Sequence, residues 1–308
     1  MNIRVKNNKK TAFLFLFPSL LGIVLFSLVP IVISLVVSLT KWNGIKRLPV
    51  FSGMPAFMSE EFVGLRNFIT ILTTEEFWKV FKNTSYFILL YIPLILVASI
   101  LVAMLLNSRF KGIAAYRIIY YIPVLTSWVA GSLIWKWVLT PGEGGIVNTL
   151  LGYAGIQGPG WLYDKNWLMP GVALASVWKD MGFFGLILLG GLQGINPAYY
   201  EAADIDGASG WSKLTRITLP LVSPVTFFII VMCIINSFQL FPQIMVMIQD
   251  VGGPQGAGMV MVERIYRYAF RFSQMGYASA FSWLLFAIIF LFTMLQMKLQ
   301  DRWVHYES

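Results

Sequence analysis

Long apolar stretches separated by short polar segments dominate the chain. A hydrocarbon layer of about 30 Å needs roughly twenty residues of helix to cross it. Lys179 and Asp180 interrupt one of these stretches, and Asn236 and Gln239 interrupt another. The pattern predicts an all-α integral membrane protein with six transmembrane helices, at residues 12–39, 85–106, 117–139, 168–192, 221–248 and 277–298.

The same pattern divides the chain into three segments. Residues 1–84 are predicted to hold the N-terminal tail, the first helix and an extracellular loop, 85–300 a core of five helices, and 301–308 a short tail. Lys and Arg are denser in the termini and in the loops 107–116 and 193–220 than in the other loops. Because cytoplasmic loops are enriched in these residues, we predict that both termini and the 193–220 loop lie in the cytoplasm.

A polar island, Tyr200–Pro224, separates the fourth and fifth apolar stretches. Tyr199–Ile205 has the composition of a short helix, and Gly207 is predicted to end it in a bend where φ can be positive. Trp211–Leu219 is predicted to restart a helix, with Pro220 just beyond the next bend. Two short helices at an angle would form a projecting knob on the water side of the membrane.

The spacing within this island matches a known signature. Glu201-Ala-Ala is followed by three residues, Gly207, nine further residues and then Ile217-x-Leu219-Pro220. This resembles the EAA loop of permease subunits in bacterial, binding-protein-dependent type I ABC importers, which have the MetI-like fold. The segment Phe62–Phe68 resembles the G-L-x-N-F run of sugar importers in that family. We therefore identify the chain as similar to the carbohydrate branch, the maltose and oligosaccharide permeases.

The resemblance implies that the loop 195–220 is a coupling element that docks into a cleft of a separate ATPase. In that family Glu201 would make a charge-assisted contact with a basic residue of the ATPase, and Gly207 would provide the bend. Small side chains beside Glu201 would let the knob seat closely. An ordinary cytoplasmic helical linker is the alternative. The predicted ATPase-coupling residues are Glu201, Ala202, Ala203, Asp206 and Gly207.

Polar residues inside the apolar stretches are candidates for a solute path. A charge at the centre of a membrane helix costs about 2.5–3.5 kcal/mol and marks an interior or water-lined position. Lys179 and Asp180 are adjacent and point roughly 100° apart on a helix, so at least one must find a partner elsewhere or reach water. A position near the outer end of the helix, or simple packing between helices, is the alternative. The predicted path residues are Trp178, Asp180, Gly182, Asn236, Phe238 and Gln239.

Composition narrows the function further. The chain is 57% hydrophobic and only 12% charged, whereas about a quarter of the residues in soluble domains are charged. Its net charge of +9 lies in short loops, where membrane topology and anionic lipid explain it better than nucleic acid. One cysteine and one histidine leave no basis for a Cys/His metal site or a disulfide framework within the chain.

The chain also lacks a phosphate-binding loop, because no Gly-Lys pair occurs in it. We expect no catalytic residue, metal or cofactor here, and the resemblance implies that ATP and Mg²⁺ bind a partner ATPase. It further implies a second homologous permease, two ATPase copies and an extracellular solute-binding protein at the bacterial plasma membrane.

The expected solute is a sugar or oligosaccharide that passes between the two permeases. Two alternatives remain open. One is the same machine carrying another polar solute, such as glycerol phosphate or an amino acid, and Lys179 would suit an anionic one. The other is a secondary transporter or channel subunit that needs no ATP.

Overall fold

The computed structural model describes residues 9–45, 61–108, 111–248 and 252–305. Helices account for most of these residues, and the extended pairing among them is an isolated bridge between Thr40 and Phe62. The helices are α1 (Lys9–Ile23), α2 (Val29–Ser38), α3 (Arg66–Thr73), α4 (Glu75–Asn107), α5 (Ile113–Leu125), α6 (Trp128–Val138), α7 (Ile146–Tyr153), α8 (Leu168–Gly194), α9 (Ala198–Ile205), α10 (Gly210–Lys213), α11 (Leu219–Leu221), α12 (Ser223–Phe238), α13 (Pro242–Met247), α14 (Met261–Tyr266) and α15 (Met275–Leu299).

Among the described residues, four helical segments are long and apolar enough to cross a membrane, namely Phe13–Ser38, Glu75–Asn107, Leu168–Gly194 and Met275–Arg302. Two further candidates are pairs of helices, each with a bend between its two members. The α5–α6 pair is bent by 99°, and the pair formed by Gly210–Leu221 and α12 is bent by 67°. Counting each bent pair as one crossing gives six, which is the predicted number.

The third and fifth crossings differ from the continuous helices predicted at 117–139 and 221–248. The third breaks after Leu125, because Pro123 removes a backbone donor near the end of α5. Ser127 then caps α6 by accepting a hydrogen bond from the backbone N–H of Ala130 at 3.2 Å. The fifth ends at Phe238, and the chain resumes as the short helix α13.

The helix predicted at Trp211–Leu219 is longer than expected. A π-helical turn at Leu214–Thr218 joins α10 to α11, so the helical path continues through Pro220 to Leu221. The bend lies at Val222 instead, two residues before Pro224, which is in the first turn of α12. Pro220 directly follows the first residue after that turn, and because it has no backbone N–H, it cannot donate a hydrogen bond within the continuing helical path.

The chain forms two compact units. One comprises residues 1–73 and 265–284, and Asn67 holds it together locally. The Asn67 amide donates to the backbone oxygens of Ser38 and Thr40, both at 2.8 Å, and so satisfies carbonyls at the end of α2. Within the same unit, the Trp283 indole N–H donates to the Ser34 hydroxyl at 3.2 Å.

The second unit comprises residues 74–264 and 285–308 and is built around α8. In the most apolar stretch of α8, 56% of the residues are buried, whereas the corresponding share is 6–28% in the other three long segments. Three glycines on α8 allow three different helices to approach. A Cβ on Gly182 would overlap the Tyr120 carbonyl oxygen of α5, one on Gly185 would lie 2.7 Å from Val102 Cγ1 of α4, and one on Gly191 would lie 2.9 Å from Val225 Cγ2 of α12. Small residues at such crossings are how membrane helices pack closely.

This packing predicts different effects on the free energy of unfolding for two glycine substitutions on the same helix. Gly182→Ala should lower the free energy of unfolding by about 1–3 kcal/mol, because the methyl group forces α5 away. Gly190→Ala has no atom within 4 Å of the new methyl group and should be neutral or stabilising by up to about 1 kcal/mol. Thermal unfolding of the two purified variants in the same detergent measures the difference. Equal midpoints would show that α5 does not press on α8 at Gly182.

Candidate functional site

A polar cavity of about 260 Å³ lies within the second unit, among α4, α6, α8, α12 and α13. Aromatic rings and hydrogen-bonding side chains share its wall, an unusual combination between membrane helices, where exposed polar groups are expensive. Its lining residues are Phe87, Tyr91, Trp128, Ser176, Asp180, Asn236, Ser237, Gln239, Leu240, Pro242 and Gln243.

Three of the six predicted path residues line this cavity. Asp180 reaches it from α8, and Asn236 from the last turn of α12. Gln239 is the residue immediately after α12, and its backbone N–H donates to the Asn236 carbonyl at 3.1 Å. The side chains of Asn236 and Gln239 are both exposed. The structure therefore brings together polar residues that are more than fifty positions apart in the sequence.

The other three predicted path residues lie in contacts between helices. Trp178 meets Trp135 edge-on, with ring centroids 6.0 Å apart. Gly182 lies at the close crossing with α5. Phe238 is only 1% exposed and packs against Phe292, with ring centroids 5.3 Å apart. The structure does not place these three at the cavity, and a path role for them stays a prediction.

Lys179 and Asp180 point to different partners, as their adjacency on a helix requires. The Asp180 carboxylate accepts a hydrogen bond from the Tyr91 hydroxyl of α4 at 2.7 Å. Lys179 Nζ donates to the carbonyl oxygens of Pro123 and Val124, each at 3.1 Å, and lies 5.0 Å from the centroid of the Trp128 ring. Lys179 is 5% exposed, so its charge is held inside the helix packing, and it does not itself line the cavity.

Sequence reasoning missed several lining residues, notably Tyr91, Trp128, Ser237 and Gln243. Ser237 Oγ and Gln243 Oε1 are buried and have no hydrogen-bond partner within the part of the chain that the structure describes. Each such buried group costs about 1–3 kcal/mol while it lacks a partner. In the sequence, Gln243 follows Gln239 by four positions and Asn236 by seven. This helical spacing of amides was the signal that would have identified Gln243 as a candidate path residue.

The predicted coupling loop is organised by the end of α9. Gly207 has a φ of +71°, as the sequence predicted. Its backbone N–H donates to the Asp204 carbonyl at 3.1 Å, and the N–H of Ala208 donates to the Ala203 carbonyl at 2.9 Å. These two bonds form a Schellman motif, in which glycine accommodates the left-handed residue without strain.

Side chains then hold α9 against the helix that follows. The Tyr200 hydroxyl and Thr218 Oγ1 are 2.9 Å apart, and Lys213 forms an ion pair with Asp204. Ala203 is buried at 8% exposure, consistent with a small residue at a tight position. The loop is therefore internally bonded, with a defined outer face.

That outer face carries both charge and apolar surface. The predicted residues Glu201, Ala202 and Asp206 are all exposed. Ile205 is 88% exposed and Trp211 is 73% exposed, and sequence reasoning had not singled out either. Exposed large apolar side chains beside a charged group are typical of a surface that binds another protein.

No group of three or more His, Cys, Asp or Glu residues that could hold a metal ion occurs among the described residues.

Comparisons with known proteins extend over almost the whole chain. The family described as "Binding-protein-dependent transport system inner membrane component" matches residues 75–306. The chain is 32% identical to the probable ABC transporter permease protein YesP of Bacillus subtilis (strain 168), over 99% of this chain and 94% of that protein. It is 30% identical to the lactose transport system permease protein LacF of Rhizobium radiobacter, over 92% of this chain and 91% of that protein.

The fold is also found in a solved transporter. A chain in the crystal structure of a bacterial alginate ABC transporter, in complex with an alginate pentasaccharide-bound periplasmic protein, aligns with a TM-score of 0.78. The alignment covers 96% of this chain and 95% of that chain at 23% sequence identity, so it shows the fold alone.

The Tyr91–Asp180 hydrogen bond predicts non-additive effects on stability. Tyr91→Phe and Asp180→Ala each remove it, and each should lower the free energy of unfolding by about 1–3 kcal/mol, because a bond to a charged group is lost. The double variant should lose about 1–2 kcal/mol less than the sum of the two, since the same bond cannot be lost twice. Thermal unfolding of the four proteins measures this coupling, and strictly additive losses would contradict the bond.

Proposed function

The chain belongs to the family of inner membrane components of binding-protein-dependent transport systems, and from that membership we propose that it forms half of the translocation path of an ATP-driven importer for a sugar or oligosaccharide. The single observation that carries the solute class is the cavity, whose amides and hydroxyls lie beside aromatic rings. Sugar hydroxyls need donors and acceptors, while the apolar face of a sugar ring stacks on an aromatic side chain. The transport of lactose named for the relative LacF supports the same class.

We propose that the loop 195–220 docks on a separate ATPase. Ile205 and Trp211 would enter an apolar cleft, and Glu201 would pair with a basic residue at its edge. The Schellman motif supports this role, because a loop that is already ordered loses little conformational entropy on docking. ATP and Mg²⁺ would bind that partner, and this chain would bind no cofactor itself.

The proposed assembly contains a second homologous permease, two ATPase subunits and an extracellular solute-binding protein. Both termini and the loop would lie in the cytoplasm, since their Lys and Arg are denser than those of the opposite loops. ATP binding would close the ATPase pair and displace the loop. The bound nucleotide would thereby favour the outward-open state through its differential affinity for the two states.

Reconstitution tests the proposal as a whole. The chain is assembled with the permease, ATPase and binding protein of its own system in proteoliposomes, and uptake of the labelled sugar is followed. Uptake should require ATP and persist with uncouplers. Uptake that persists without ATP would contradict the proposal and favour a secondary transporter or channel.

The loop assignment predicts that Glu201→Lys reduces ATP-dependent uptake at least about tenfold, because like charges would meet at the edge of the cleft. The variant should still reach the membrane, since Glu201 is exposed and its replacement leaves the packing of α9 intact. Co-purification of the ATPase with the variant should fall in parallel with uptake.

Asp301→Lys is the matched control, because Asp301 is also an exposed carboxylate near a helix end but lies outside the loop. It should leave uptake within about twofold of the wild type. Equal uptake by both variants would show that Glu201 does not contact the ATPase.

The cavity assignment predicts that Asn236→Ala raises the KM for uptake several-fold, as expected when a hydrogen bond of about 0.5–1.5 kcal/mol is lost. The ATPase should remain bound to this variant. Asn166→Ala, which removes an exposed amide in the loop before α8, should leave KM unchanged. Loss of the ATPase from the Asn236 variant, with KM unaltered, would instead assign Asn236 to helix packing.

A further inference from the structure

The cavity carries one ionisable carboxylate and many hydrogen-bond acceptors. Asp180 contributes the carboxylate, and its bond to Tyr91 uses one carboxylate oxygen, Oδ2. Ser237 Oγ and Gln243 Oε1 add buried atoms that have no partner in the described part of the chain. The exposed amides of Asn236 and Gln239 offer a solute both donors and acceptors, which suits a hydroxyl group because it can donate and accept.

Cations are absent from the described residues that line the cavity. The nearest candidate in sequence, Lys179, donates to two backbone carbonyls and is 5% exposed. It is not among the residues that line the cavity. The suggestion from sequence that Lys179 would suit an anionic solute is therefore not supported by its placement.

We propose that Asp180 determines charge selectivity, so that the cavity admits neutral oligosaccharides and disfavours those that carry carboxylates. This inference rests on the proposed sugar function. A uronate carboxylate has no proton to donate to the Asp180 carboxylate, and it is repelled by Asp180 at short range, where water screens poorly. A neutral sugar of the same shape donates hydroxyls to the same atoms and carries no charge.

Tyr91 acts here as a positioning residue. Its hydroxyl bonds one carboxylate oxygen of Asp180 and holds the side chain between α4 and α8. The ring of Tyr91 is itself held by stacking on Phe87, with centroids 5.4 Å apart. The Asp180 carboxylate therefore has a defined position in the cavity wall.

Matched sugar pairs test the proposal on the complete assembly in lipid nanodiscs, without the binding protein. The probes are α-1,4-galactotriose against α-1,4-trigalacturonate, and β-1,4-cellotriose against the corresponding triglucuronate. Saturation-transfer NMR titration gives the Kd of each sugar, and the quantity compared is the ratio of the acidic to the neutral Kd. In the wild type this ratio should be at least about ten.

Asp180→Asn removes the charge and keeps an acceptor for Tyr91, so the ratio should fall below about three. Glu143→Gln removes an exposed carboxylate outside the cavity and should leave it at the wild-type value. Tyr91→Phe keeps the carboxylate and should also retain a ratio of at least about ten, which separates the charge from the hydrogen bond.

Wild-type protein that binds the acidic sugars as tightly as the neutral ones would overturn the proposal. An unchanged ratio in Asp180→Asn, with the ATPase still bound, would also overturn it while leaving the sugar function intact. Failure of the wild type to bind any of the four sugars would count against the proposed sugar function itself, and the selectivity proposal would fall with it.

Discussion

Inside a membrane, a backbone carbonyl without a partner costs several kcal/mol, and the break between α5 and α6 leaves carbonyls at the end of α5 that need partners. The Pro123 carbonyl accepts from the backbone N–H of Thr126 at 3.2 Å and from its hydroxyl at 2.7 Å. The ammonium group of Lys179, on the neighbouring helix α8, donates to the Pro123 carbonyl as well and also to that of Val124. A charge that is expensive to bury is thereby satisfied by carbonyls at the helix break.

Much of the cavity follows from that one interaction. The break lets α6 begin at Trp128, whose ring then lines the cavity. Because Lys179 is directed at α5, its neighbour Asp180 is turned about 100° away, where it meets Tyr91 and the cavity. The angle of about 100° between the two side chains therefore places Asp180 in the cavity wall and Lys179 outside it.

Features that depend on residues close in sequence could be predicted, and features that depend on distant contacts could not. The Schellman motif involves only residues 203–208, so its glycine was recognisable from spacing. The six apolar stretches were equally local. By contrast, Tyr91 and Asp180 are 89 positions apart, and the lysine that bonds the carbonyls beside the break lies more than fifty residues after it. Phe238 illustrates the limit, since its ring packs against that of Phe292, 54 positions later in the sequence.

Two helices, α8 and α12, connect the cavity to the loop 195–220. Asp180 lies on α8, which ends at Gly194 just before α9, so about 21 Å of continuous helix separates them at 1.5 Å per residue. Asn236 lies on α12, which begins at Ser223 where the loop ends. Two of the helices that line the cavity thus connect directly to the loop, one at each of its ends. The 67° bend at Val222 lies on only one of these two routes. A displacement of the loop would therefore push α8 along a straight helix but reach α12 through a bend that can change its angle, and this difference would move Asp180 relative to Asn236.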